Sequence, residues 1–223
     1  FLTILDMLKP NNAISAIGNT PLIKLSNIVP SDSANVWIKL EYVNPTGSYK
    51  DRMALAMIEG AEKRGNLKPG MTVVEYTGGS TGSSLAFICS VKGYAFHVIS
   101  SNAFSNEKLD TMKAFGAKLE IIKSPSGKIN SDLINKMIDR AKQLSKRDDY
   151  FFTDQLNNTD VINGFEMMGN EIQAQFDNSI DAFCASIGTA GAMMGVSNIL
   201  LKSQSNIKIV ALEPDTAAYY SKG

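Results

Sequence analysis

The sequence predicts an α/β fold of mostly parallel sheets with helices on both faces. Three observations carry that expectation. Short β-branched or aromatic runs alternate with helical patterns along the 223 residues, glycines close successive helices, and the turns from strand to helix are rich in Gly, Ser and Thr. The expected strands are 36–42 (VWIKLEY), 72–76 (TVVEY), 95–100 (AFHVIS), 118–123 (KLEIIK), 150–153 (YFFT), 181–187 (DAFCASI) and 207–213 (IKIVALE). Between them, helices are expected near 50–64, 81–92, 105–115, 131–145, 159–175 and 190–202.

The first helix is marked at both ends and along one face. Met53, Ala54, Ala56, Met57, Ile58 and Ala61 form an apolar stripe at helical spacing, Ser48 is the expected N-cap with Asp51 three residues on, and Gly65 closes the far end. Gly93 and Gly116 end the next two helices in the same way. The charged patch SKRDD at 145–149 reads either as a solvated helix end or as a linker.

Composition narrows the partners. Lys+Arg and Asp+Glu balance at 22 each, so nothing favours nucleic acid or an anionic membrane. No apolar run approaches the roughly 20 residues of a membrane span, and residues 1–20 lack the order of a signal peptide, so a soluble cytoplasmic protein is expected. Cys89 and Cys184 lie in apolar runs and read as buried thiols, no metal-ligand spacing occurs, and the single histidine, His97, reads as a hydrogen-bonded core imidazole. The Met pairs at 167–168 and 193–194 read as core filler.

Two Gly-rich turns and one lysine carry chemistry. EYTGGSTGSSLA (75–86) ends a strand, turns through Thr77, Gly78, Gly79, Ser80 and Thr81, and starts a small-residue helix. Backbone N–H groups and hydroxyls at such a helix start form an anion site. SIGTAGAMMG (186–195) is built alike, and its Gly188, Thr189, Ala190, Gly191 and Ala192 would clasp a second anion. Neither turn matches G-x-G-x-x-G or ends in G-K-[ST], which disfavours a nucleotide. Lys50 opens a third helix, where the dipole disfavours an ammonium by about 0.3–1 kcal/mol. Either its side chain bends into water or its amine is kept nucleophilic. An amine with two anion cradles is what pyridoxal phosphate chemistry on an amino acid requires: an aldehyde anchor, a phosphate anchor and a seat for the substrate carboxylate.

At these residues the sequence resembles the cysteine synthase family, the O-acetylserine sulfhydrylases and cystathionine β-synthases, within the tryptophan synthase β-type, or fold type II, pyridoxal phosphate enzymes. IGNTPLIKL (17–25), NPTGSYKDR (44–52), EYTGGSTG (75–82), GTAGAMMG (188–195) and VALEP (210–214) match its motifs in order. The resemblance implies a two-domain chain, with 1–35 plus 151–223 a larger cofactor-binding domain and 36–150 a smaller mobile one. It implies that Lys50 forms the internal aldimine with pyridoxal 5'-phosphate and later moves the Cα proton. By the same resemblance Thr77, Gly78, Gly79, Ser80, Thr81 and Gln155 bind the substrate carboxylate, Ser80 also reaches the cofactor, and Gly188, Thr189, Ala190, Gly191 and Ala192 cradle the phosphate. The implied reaction is β-replacement on O-acetylserine with sulfide, giving cysteine by way of an aminoacrylate. Serine or threonine dehydratase, cystathionine β-synthase and threonine synthase are the near alternatives, and a catalytically degenerate binding subunit is the distant one. A homodimer is implied, with serine acetyltransferase as a further partner.

The sequence also departs from the family pattern. Ser80 stands where the family has an asparagine, and Ala190 and Ala192 stand for a glycine and a threonine in the phosphate loop. Losing one buried hydroxyl contact there is expected to weaken phosphate binding by about 1 kcal/mol. Family members also continue past the stretch ending at Gly223, where a hydroxyl reaches the pyridine nitrogen, and the first residue here is Phe1, so part of a longer chain is expected.

Overall fold

The computed structural model describes residues 12–176 and 179–222. Its centre is a four-stranded parallel sheet in the order β5-β4-β3-β6, formed by β3 (Thr72–Tyr76), β4 (Ala95–Ser101), β5 (Lys118–Ile122) and β6 (Tyr150–Phe152). Strand alternation splits its side chains between two cores. Val73, Phe96 and Val98 pack on one face against α1 (Lys50–Lys63) and α2 (Ser80–Lys92). Val74, Tyr76 and Ile99 pack on the other against Leu133, Met137, Ala141 and Leu144 of α4 (Ser131–Leu144). Helices therefore cover both faces, as expected. The third helix of this region, α3 (Asn106–Ala114), buries Leu109 and Met112.

The predicted stripe of α1 is fully buried at Met53, Met57 and Ile58, each worth about 1.5–3 kcal/mol. Beyond it, α1 meets α5 (Asp160–Gln175), which in turn meets α6 (Gly191–Ser203). Glycines set these crossings at backbone contact: a Cβ on Gly164 would lie 2.7 Å from the Arg52 carbonyl oxygen, and one on Gly195 would lie 2.6 Å from Phe165 Cβ. A second parallel pair, β7 (Ala182–Ser186) with β8 (Lys208–Leu212), flanks α6, and α7 (Tyr219–Lys222) follows.

Several expectations need correction. The 36–42 run contributes only β2 (Trp37–Lys39), which pairs antiparallel with β1 (Leu22–Lys24), a strand too short to show alternation in the sequence. Tyr49, not Ser48, occupies the cap position of α1, and Asp51 reaches back to Thr46, accepting from its N–H at 2.8 Å and its hydroxyl at 2.5 Å. Cys184 is exposed, because β7 alternates and turns Ala182, Cys184 and Ser186 outward. Met168 and Met193 are buried, but Met167 and Met194 are about half exposed, so each pair gives one side chain to the core. Cys89 is buried, and His97 is a core imidazole whose Nδ1 lies 3.3 Å from the Tyr150 hydroxyl. Burial lowers its pKa despite the nearby Glu120. The SKRDD stretch is a solvated helix end, with Arg147 paired to Asp149.

Candidate active site

Lys50 is the first residue of α1, as the sequence indicates. Burial lowers its pKa to about 8, so about a tenth of it is neutral amine at pH 7, far more than an ordinary lysine. Its Nζ lies 4.9 Å from the centroid of the Tyr49 ring, itself packed on Phe165. Lys50 and Tyr49 line a narrow cleft, too tight to admit a water molecule, together with Ser186, Gly188, Thr189, Ala190, Gly191, Ala192 and Met193 of the second turn. The structure thus brings the lysine and the second Gly-rich turn together.

That turn is a cradle at a helix start. Gly191 opens α6, whose first amides have no carbonyl one turn earlier to bond. The preceding Ala190 is left-handed at φ 60°, a conformation that costs an alanine about 1–2 kcal/mol. Nothing lies within 4 Å of where a Cβ on Gly188 would sit, while one on Gly191 would meet Val161. The Tyr220 hydroxyl donates to the Gly188 carbonyl at 2.9 Å. A lysine with a depressed pKa lining one cleft with a small-residue helix start has the chemistry to take the aldehyde and phosphate ends of pyridoxal 5'-phosphate.

The first Gly-rich turn lies at the C-terminal end of β3. Thr77 N–H donates to the Ile99 carbonyl at 3.0 Å, Gly79 N–H to the Thr77 hydroxyl at 3.3 Å, and Gly79 caps α2, which begins at Ser80. The Phe104 ring occupies the place a Cβ on Gly78 would need. The Thr81 hydroxyl donates to Gln155 Oε1 at 2.8 Å, so two stretches 74 residues apart meet as expected. The Thr46 and Ser84 hydroxyls, 3.2 Å apart, set the starts of α1 and α2 side by side.

Three supporting groups lay outside the sequence reading. Arg52 is 2% exposed; it pairs with Glu41 through Nε at 2.7 Å and with Glu171 through Nη1 at 2.6 Å, and Lys39 adds a contact to Glu171 at 2.7 Å. Burial alone would raise the Glu171 pKa, but hydrogen bonds from Arg52 and Lys39 outweigh it and hold the group down to about 2. This cluster fixes the Lys50 end of α1 to α5. Tyr220 is the second. The third is Glu75, fully buried in β3 beside the first turn. It accepts from the Thr153 hydroxyl at 2.6 Å, Gln155 N–H at 3.1 Å and Tyr76 N–H at 2.9 Å.

The chain is similar to several known proteins. A family model described as "Pyridoxal-phosphate dependent enzyme" matches residues 14–223. A cysteine synthase of Staphylococcus aureus (strain Mu50) is 42% identical over 215 residues, covering 96% of this chain and 67% of the relative. Among solved structures, O-acetyl serine sulfhydrylase isoform 3 of Entamoeba histolytica matches with a TM-score of 0.88 and 32% identity, over 100% of this chain and 67% of that one. A hydrogen sulfide-producing enzyme of Fusobacterium nucleatum matches with a TM-score of 0.88 and 32% identity, over 96% and 69%. The chain spans about two thirds of the length of these proteins. With its motifs in order, a family model matching residues 14–223 and a cysteine synthase 42% identical over 96% of it, the chain belongs to the cysteine synthase family of pyridoxal-phosphate dependent enzymes.

Proposed function

We propose that the protein performs β-replacement on O-acetylserine with sulfide, releasing acetate and forming cysteine. The observation that carries this reading is the Lys50 amine, its pKa lowered to about 8, in one cleft with the Gly188–Ala192 turn. Bound pyridoxal 5'-phosphate supplies an aldehyde for amine linkage and an electron sink that acidifies the substrate Cα–H. Lys50 is the residue that would hold the cofactor aldehyde, and its neutral Nζ would accept the substrate Cα proton. The amides opening α6, with Thr189, hold the phosphate. The Thr77–Thr81 turn and Gln155 hold the substrate carboxylate, which the α2 dipole favours. Ser80 supplies a hydroxyl beside both. Movement of the 36–150 unit over the bound carboxylate would exclude water from the reacting carbons.

The same reading makes the protein a cytoplasmic homodimer, with serine acetyltransferase as a further partner. No helix among the described residues is long and apolar enough to cross a membrane. Ile23 and its register partner Ile38, with Val36 two residues before Ile38, form an exposed apolar face on and beside the β1–β2 ribbon, which supports a subunit interface. The test is product analysis of the full-length, cofactor-loaded protein. Cysteine from O-acetylserine and sulfide, lost in Lys50→Ala, supports the reading. Pyruvate from serine, or 2-oxobutyrate from threonine, with no cysteine would replace it with a dehydratase, and neither outcome would leave a binding subunit.

A further inference from the structure

A carboxylate inside a parallel sheet needs a reason. Glu75 is 0% exposed between Val74 and Tyr76, where burial pushes its acid up to about 7 against the pull of its three donors. An apolar residue of similar size would fill the site without that desolvation cost. What the carboxylate does is join two strand ends. Oε1 takes the Tyr76 N–H, adjoining the Thr77–Thr81 turn, while Oε2 takes both the Thr153 hydroxyl and the Gln155 N–H beyond β6. The backbone supports the same junction, with Thr153 N–H donating to Val74 O at 3.2 Å. Gln155 then places Oε1 on the Thr81 hydroxyl, which leaves its Nε2 hydrogens to donate elsewhere.

We propose that Glu75 is a positioning residue for the substrate-carboxylate site, acting through Gln155: it fixes the Gln155 backbone so that the side-chain amide is held against Thr81 with its N–H donors presented to the substrate. The proposal rests on the assignment of Thr77–Thr81 and Gln155 to the substrate carboxylate. Glutamine at position 75 cannot serve all three donors, because its Nε2 replaces one acceptor oxygen and faces either Tyr76 N–H or the Thr153–Gln155 pair.

The test is a double-mutant cycle on the full-length, cofactor-loaded enzyme. It reads the dissociation constant of L-alanine from the cofactor absorbance change, with KM and kcat for O-acetylserine. Gln155→Ala and Glu75→Gln should each raise the dissociation constant and KM, the latter by about fivefold to tenfold, the worth of one charge-assisted hydrogen bond, with kcat within about twofold. The double variant should bind no more weakly than Gln155→Ala alone. Thr153→Val, which removes one donor, should shift binding in the same sense by less and serves if Glu75→Gln does not fold. Unchanged binding in Glu75→Gln and Thr153→Val, or losses that multiply in the double variant, would overturn the proposal while leaving the carboxylate site standing. Unchanged binding in Gln155→Ala would overturn both.

Discussion

The two Gly-rich turns read alike in the sequence, each leading from a strand into a small-residue helix, yet the molecule supports them differently. The Thr77–Thr81 turn leaves the middle of a four-stranded sheet, with Thr77 buried, Phe104 over Gly78 and the Glu75 carboxylate beneath. The Gly188–Ala192 turn leaves a two-stranded sheet whose outward residues are exposed, and it is shaped by the contact of Gly191 and Gly195 with α5 and by Tyr220. One turn is set by a sheet and a buried charge, the other by helix-on-helix contact. Damage to the first should therefore appear as lost substrate affinity, and damage to the second as lost cofactor retention.

The largest effect should erase that difference. Arg52 anchors α1, which brings Lys50 to one turn and lies beside the helix that starts from the other. Arg52→Ala would leave Glu41 and Glu171 facing each other, costing about 3 kcal/mol of stability and weakening both cofactor and substrate binding. Thermal denaturation with cofactor and substrate titrations would show it. The pH signature follows from Glu171. Its folded pKa lies below the ordinary value of 4.5, so its stabilisation is present above pH 4.5 and is lost as the pH falls toward about 2. Acid titration of the wild type should lose stability through that window, and Arg52→Ala should lose less there, keeping only the part that Lys39 and the Asn19 N–H give Glu171.

A smaller change should sharpen the contrast. Gly191→Ala would drive a Cβ into Val161 and push the start of α6 off α5, costing about 1–3 kcal/mol. Cofactor should then be retained less well through dialysis, while the alanine dissociation constant of the remaining loaded enzyme stays near the wild-type value. Smaller still and opposite in sign is Ala190→Gly. Relief of the left-handed alanine should stabilise the protein by about 1 kcal/mol, visible as a higher Tm with substrate affinity unchanged.

The parts of this contrast that were legible in the sequence are those set by local chemistry. Alternation of Val73 and Val74, the buried stripe of α1, and the left-handed Gly65, Gly93 and Gly116 at helix ends all follow from periodicity and backbone freedom. The meeting of Gln155 with Thr81 was implied by the family resemblance, which gives both residues to the substrate carboxylate. What the sequence hid depends on distant contacts. β1 announces nothing until β2 pairs with it, and Cys184 sits in an apolar run that borders only one core. Arg52 and Glu171 are 119 residues apart, and nothing local marks them as a pair. Glu75 did leave a signal, a lone carboxylate in TVVEY, but its partners Thr153 and Gln155 become neighbours only when β6 joins β3. Tyr220 reaches Gly188 only through the fold of the β7–β8 pair.

The central claim is that the Lys50 amine is the group that takes the cofactor aldehyde. Protein loaded with pyridoxal 5'-phosphate, reduced with borohydride and digested should carry the reduced cofactor mass on the peptide spanning Lys50. Adduct formation should rise as the pH is raised through about 8, where the amine becomes neutral. An adduct on another lysine, or an undiminished cofactor absorbance in Lys50→Ala, would contradict the account.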